Sequence, residues 1–375
     1  MTDDLNAPLG RGRRKADRQR LNLPWGRIGG TAVLAFALGI GAWILFVDDP
    51  LGGRPVAEVA VNTQSIPNPI IEDVAPTPIE PAIVPIDAPN GPSIITLGAN
   101  APVDSAGEDL GPQQTLIEMT EDGPLPRIAS DGTRPHQAYA RPSVSIESAG
   151  GRKLIAIVVT GLGLNDSSTR QAIDTLPGTV TLAFAPYGQS LMQLAGTARA
   201  DGHEIMLEVP LEPFDYPQND PGPHTLLVEQ PPRENLEKLH WLMSRMEGYT
   251  GIINHMGARF TASAADFSPI MEELGLRGLS YLDDGSSNRS VAPQLAQQNG
   301  VPFARALSHL DDNPSGPAIT QQLEVLKAAA DQNGHAIGLL SALPVSIRTL
   351  AEWADALDQD SYLLVPVSVL TNIQG

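Results

Sequence analysis

Apolar runs recur along the second half of the chain, separated by stretches whose apolar positions fall at three- and four-residue steps. The runs predict strands at Leu154–Val159, Val180–Phe184, Glu204–Val209, Gly251–Asn254, Leu279–Leu282, Val301–Ala304, Ala336–Leu339 and Tyr362–Pro366. A helical segment follows the first of them, and further helices are predicted at Asn235–Met246, Asp266–Leu274, Val291–Gln298 and Ala318–Asn333. In the last, Ile319, Leu323, Leu326 and Ala330 mark one buried face, and Gly334 supplies the usual stop. Strand–helix alternation over roughly 220 residues implies an α/β fold, a parallel sheet with helices packed outside it. A barrel and a doubly wound sheet both satisfy the pattern. In a barrel the chemistry sits where the strands end. Thr160, Glu208, Asn254-His255 and Asp283-Asp284 fall at such ends.

The first half has a different character. Ile28 to Val47 carries no charge and is about the ~20 residues a membrane-spanning helix needs. Trp25 and Trp43 stand near its ends, a basic segment (1–27) precedes it, and Asp48-Asp49 follow. The positive-inside rule then predicts a single-pass anchor (28–47) in the cytoplasmic membrane, N-terminus inside, with the body in the periplasm. A cleaved signal peptide is the rival reading, but its apolar region is usually only ~7–15 residues long and ends at a cleavage site. Residues 48–150 are rich in proline, keep no helical period and hold only sparse apolar pairs such as Ile70-Ile71. They read as a disordered Pro-rich tether, on the order of 50–60 Å across as a flexible coil. The folded body is therefore expected over 151–375.

Charge narrows the partners. Seven of the 24 basic residues and three of the 43 acidic ones lie before the apolar stretch, leaving 17 against 40 beyond it, a balance of −23. So acidic a body argues against nucleic acid and anionic lipid headgroups as ligands. There are no cysteines, which removes disulfides, thiolate metal sites and cysteine nucleophiles. Gly161-Leu162-Gly163 does not complete a dinucleotide loop, since Asp166 stands where the third glycine would fall.

Several short segments carry a more specific signal: Pro186-Tyr187-Gly188, Gly202-His203-Glu204, Glu212-Pro213-Phe214 with Asp220-Pro221-Gly222-Pro223, Asn254-His255-Met256-Gly257, and Leu364-Val365-Pro366-Val367-Ser368. Together they resemble the divergent branch of the polysaccharide deacetylase superfamily, over about Lys153 to Leu370. The resemblance implies an irregular (β/α) barrel, an acetylated cell-envelope polysaccharide as substrate, and hydrolytic loss of acetyl groups. It also implies a divalent ion such as zinc, which polarises the acetyl carbonyl and lowers the pKa of a bound water.

The residues depart from that pattern at three points. The branch usually has an Asp-Asp pair where this chain has Thr160-Gly161, a His metal ligand where it has Glu208, and an acid His where it has Ser341. Thr160 cannot act as a base near neutral pH, Gly161 offers no ligand, and Ser341 is no useful proton donor. The expectation is a degenerate barrel that binds glycan, or an envelope protein as a scaffold. The alternative is an active deacetylase with a rebuilt metal site of Glu208, Glu212 and His255. Asn254, Asp283, Asp284 and Tyr187 are further pocket candidates. Each has a plainer reading: Glu208 and Glu212 as hydrogen-bonded strand-end carboxylates, Asp283-Asp284-Gly285 as a turn, His255 as a packing residue. The aromatics near strand ends, among them Phe184, Phe214, Phe260 and Tyr281, either stack on sugar rings or fill the core.

Overall fold

The computed structural model describes residues 113–144 and 147–371. The basic segment, the apolar stretch 28–47 and most of the tether lie outside them. Among the described residues no helix is long and apolar enough to cross a membrane.

The described chain begins with a hairpin of β1 (Ile117–Thr120) and β2 (Gly123–Pro126) and a short helix α1 (Pro135–Ala138). Alternation then sets in: β3 (Lys153–Leu162), α2 (Asp166–Thr175), β4 (Thr181–Phe184), α3 (Leu191–Ala200), β5 (Ile205–Leu211) and α4 (Pro232–Met243). It continues through β6 (Gly251–Met256), α5 (Ala264–Arg277), β7 (Ser280–Asp283), α6 (Ala292–Asn299), β8 (Phe303–Arg305) and β9 (Ser308–His309). α7 (Gly316–Asn333), β10 (His335–Ser341), α8 (Pro344–Asp355) and β11 (Tyr362–Leu364) complete it.

The main sheet is parallel, in the order β8-β7-β6-β5-β4-β3-β10-β9, with β11 beside the start of β3. β8 and β9 are two halves of one stave. The first pairs with β7 and the second with β10. Between them Ala306 N donates to Asp283 O at 2.9 Å and Leu307 N to Ile337 O at 2.8 Å. The curled sheet thus returns on itself, and it fits the expected barrel-type architecture with one stave split.

Both faces of these strands are buried, so the sequence shows them as continuous apolar runs rather than alternating ones. Alternation is present all the same. Ala156, Val158, Ala183, Met206, Ile253 and Leu339 form one cluster on the inner face. Their neighbours Ile157, Val159, Leu182, Leu207, Ile252 and Leu340 join the helices in a larger one. Small residues recur inside because facing strands leave little room there. On the outside, α7 buries Ile319, Leu323, Leu326 and Ala330 as its spacing predicts. α2 opens on Asn165, whose side chain accepts a hydrogen bond from Ser168 N at 2.9 Å.

The folded region begins earlier than expected. Residues 113–144, assigned above to the stretch 48–150, are folded, with Leu116, Leu125 and Tyr139 buried. Arg277 of α5 fixes the hairpin by donating to Pro126 O at 2.9 Å and pairing with Glu118 at 3.3 Å. Its sparse apolar residues cannot build a core alone, but they cover one that already exists.

Two motifs meet at the barrel's floor. Glu204, fully buried ahead of β5, accepts Ser368 N at 3.1 Å and Arg141 N at 3.3 Å. Val367 N donates to Thr181 Oγ1 at 3.0 Å. His203 contacts Val180 O at 2.9 Å through Nδ1, so it orients the turn as a structural residue.

Candidate active site at the C-terminal mouth

Inward-facing positions are set by strand parity. Met206 and Ile253 point inside, so Glu208 on β5 and His255 on β6 point the same way, closer to the strand ends. Glu208 is 4% exposed, whereas the His255 side chain is 47% exposed. Glu208 Oε2 stands 3.9 Å from His255 Nδ1, and Oε1 accepts a hydrogen bond from the Gly161 amide.

That amide is aimed by a bulge. The register between β3 and β4 slips between Val159 and Leu162, and Gly161 in the slip has φ +78°. An L-residue here carries left-handed strain of ~1–2 kcal/mol. Glycine therefore allows a backbone donor to occupy the place where the branch usually presents a carboxylate. Thr160 Oγ1 donates to Leu340 O at 3.3 Å, a bond between β3 and β10.

Burial drives Glu208 up to about 7, partly offset by the Gly161 hydrogen bond. Its neutral form is therefore accessible near neutral pH, unlike that of an ordinary carboxyl. His255 is lowered by desolvation on its buried side, with Asp284 opposing the shift and His309 adding to it. Asp284 is raised by burial, against hydrogen bonds from Ser286 and Asn254. Its Oδ1 accepts Ser286 N at 2.9 Å. Glu208, His255 and Asp284 thus gather at the mouth.

The other candidates are committed elsewhere. Glu212 pairs through Oε1 with Arg259 and accepts Val228 N at 2.7 Å through Oε2. Parity brings it to the same side as Glu208, but the strand ends at Leu211 and its carboxylate anchors two loops instead. Asn254 is also structural. Its Oδ1 accepts Tyr281 Oη at 2.9 Å and Asp284 N at 3.0 Å, and its Nδ2 donates to Met256 O at 2.6 Å. Asp283 Oδ1 accepts Gly285 N at 2.8 Å and lies 3.9 Å from Arg305 Nε, in the turn its sequence suggested. Tyr187 packs with Trp241 at 6.3 Å and takes His224 N on its hydroxyl at 3.4 Å. Phe184, Phe260 and Tyr281 are core, whereas Phe214, in the loop after β5, is 59% exposed.

Ser341 has a partner that sequence reasoning missed. Asp311, just beyond β9, accepts Ser341 N at 2.9 Å, Ser341 Oγ at 3.3 Å and Ser346 Oγ at 2.6 Å. This ties β9, β10 and α8 together where an acid histidine would otherwise stand. Arg259 was missed as well, since nothing in a lone arginine announces a partner 47 residues away.

A divalent ion does not fit these residues. Glu208 gives one oxygen to Gly161 N, both Glu212 oxygens are taken, and Gly161 has no side chain. Among the described residues no group of three or more His, Asp or Glu can hold a metal. The expected trio Glu208, Glu212 and His255 is corrected accordingly: the fold joins the first and third and removes the second.

Residues 157–371 match the profile of a family described as divergent polysaccharide deacetylase. YibQ of Escherichia coli (strain K12) is 24% identical over 220 residues, spanning 59% of this chain and 68% of that protein. A Haemophilus influenzae protein is 24% identical over 216 residues, 56% of this chain and 74% of its own. The crystal structure of ATU2773 from Agrobacterium tumefaciens C58 is 41% identical, with a TM-score of 0.63 over 66% of this chain and 99% of that one.

Proposed function

The chain belongs to the divergent polysaccharide deacetylase family, and from that premise we propose that it is a glycan-binding barrel of the cell envelope without the family's metal-dependent hydrolysis. The observation that carries this reading is the hydrogen bond from the Gly161 amide to Glu208. It uses a backbone donor and a would-be ligand oxygen at the point where the standard reaction needs two free carboxylates. What remains at the mouth is a set of hydrogen-bonding groups. Around it stand exposed Leu164 after β3, Phe214 after β5 and Leu343 after β10, apolar faces on which sugar rings can rest.

The uncharged stretch 28–47 and the basic segment before it support a single-pass position in the cytoplasmic membrane, with the barrel held in the periplasm on its Pro-rich tether. Protease added to spheroplasts is expected to remove the barrel. A protected barrel would overturn that placement.

The function is tested on the purified full-length chain, offered zinc and a set of acetylated envelope polysaccharides. Saturable glycan binding without acetate release is the expected result. Stoichiometric zinc together with acetate release, both lost in Glu208→Ala, would restore the hydrolase and remove the binding-only reading.

A further inference from the structure

An acetamide and the amine left by its hydrolysis ask for opposite things. The acetamide oxygen needs hydrogen-bond donors, or a metal, directed at it. An ammonium carries three donors and no acceptor, and needs carboxylate or imidazole acceptors around it.

The mouth is built for the second case. Glu208 is buried to better than nine-tenths, yet its Oε2 makes no hydrogen bond among the described residues and faces His255 3.9 Å away. Asp284, also 4% exposed, adds a second carboxylate. Neither has a lysine or arginine within ion-pairing distance among the described residues. The arginines beside neighbouring carboxylates belong to Glu212 and Asp283. The backbone donor best placed to meet an acetyl oxygen, Gly161 N, is already spent on Glu208.

We infer that this mouth recognises the free ammonium of a de-N-acetylated amino sugar, through Glu208 Oε2 with Asp284 and His255, in preference to the acetylated sugar. The inference rests on the glycan-binding reading and names the ligand class of that same site. The Glu208 carboxyl is buried with no lysine or arginine beside it among the described residues, and an arriving ammonium supplies the missing charge. The barrel then binds the product of amide hydrolysis and stands after a deacetylation step rather than performing one.

The test is calorimetry on the full-length chain at near-physiological salt. Short β-linked glucosamine oligomers are compared with N-acetylglucosamine oligomers of equal length. The amine form is expected to bind about tenfold or more tightly, the worth of one charge-assisted hydrogen bond. Glu208→Gln keeps an acceptor for Gly161 N and is expected to lose about that factor for the amine form alone. Asp284→Asn is expected to weaken the amine form in the same direction. General attraction to a chain of net charge −19 would barely notice one charge, so an unaffected Glu208→Gln overturns the inference. Equal or tighter binding of the acetylated oligomer overturns the inference and leaves the glycan-binding reading standing. If neither oligomer binds, the glycan reading falls, and this inference with it.

Discussion

A carboxyl raised by burial destabilises the fold once it ionises, and Glu208 is the clearest case here. Its folded value of about 7 lies above the ordinary 4.5, so the folded state binds the proton more tightly than the unfolded chain does. The contribution to stability is complete below pH 4.5 and is lost as pH rises through 7. Glu208→Gln fixes the neutral state. It is expected to be more stable than the parent at pH 8 by up to ~3 kcal/mol and near parity at pH 4. Urea denaturation across that range reads it, and an unchanged difference between the two pH values would contradict the account. Glu212 differs in being paired with a cation, Arg259. Arg259→Ala leaves a carboxylate that is 4% exposed with only the Val228 amide, an expected loss of about 2 kcal/mol by the same measurement. Arg259→Lys should recover part of it. The sequence offered both glutamates as ligands four residues apart, Glu208 in place of the branch's usual His and Glu212 in keeping with the pattern. What separates them, a bulge at Gly161 and an arginine 47 residues downstream, is long-range geometry that no local pattern carries.

At the scale of elements, the Asn254-His255-Met256-Gly257 segment ends β6 by a specific device. Met256 has φ +59° and Gly257 φ +94°, two successive residues in the left-handed region, and Asn254 Nδ2 holds the Met256 carbonyl. A Cβ at Gly257 would lie 2.4 Å from Leu211 Cβ, an atom that cannot swing aside. Gly257→Ala is therefore expected to cost at least ~2 kcal/mol, from the backbone and the overlap together, and to lower the thermal midpoint. A variant as stable as the parent would mean that β5 and β6 can move apart freely. The motif was legible as a signature, while its purpose was legible only in part: it turns the chain sharply so that His255 faces the mouth and Asn254 the core. Strands buried on both faces announced themselves as apolar runs, and all eight predicted ones exist within a few residues of their expected bounds. β9 did not, because two residues carry no period. The hairpin of β1 and β2 did not either, since Pro124 and Pro126 within it read as tether. Propensity describes what a segment does by itself, and this one acquires its structure from α4, which packs on β2, and from Arg277 of α5.

The whole barrel depends on that misread segment at more than one place. Leu116, Leu125 and Tyr139 are almost fully buried, and Tyr139 Oη accepts Gln113 N at 3.0 Å. The Tyr139 carbonyl accepts the guanidinium of Arg199 at 2.6 Å, and Arg199 is itself only 2% exposed. Arg141 reaches from the same segment to Gly202 O and, through its amide, to Glu204 on the floor. A chain cut to begin at residue 151, where composition placed the boundary, would uncover this apolar surface. It would also leave Arg199 without its Tyr139 acceptor and Glu204 without its Arg141 donor. The apolar burial lost is worth on the order of 5 kcal/mol, at ~1.5–3 kcal/mol for each large side chain. That is a large share of what holds a typical domain together. The cut chain is therefore expected to unfold or aggregate at temperatures where one beginning at residue 113 remains folded. Circular dichroism melts of the two, side by side, measure the difference. Coincident melting curves would mean that the segment only rests on the barrel. A destabilised short form would mean that the folded unit begins some 40 residues earlier than its family resemblance, and that binding assays on the shorter chain would report on a damaged mouth.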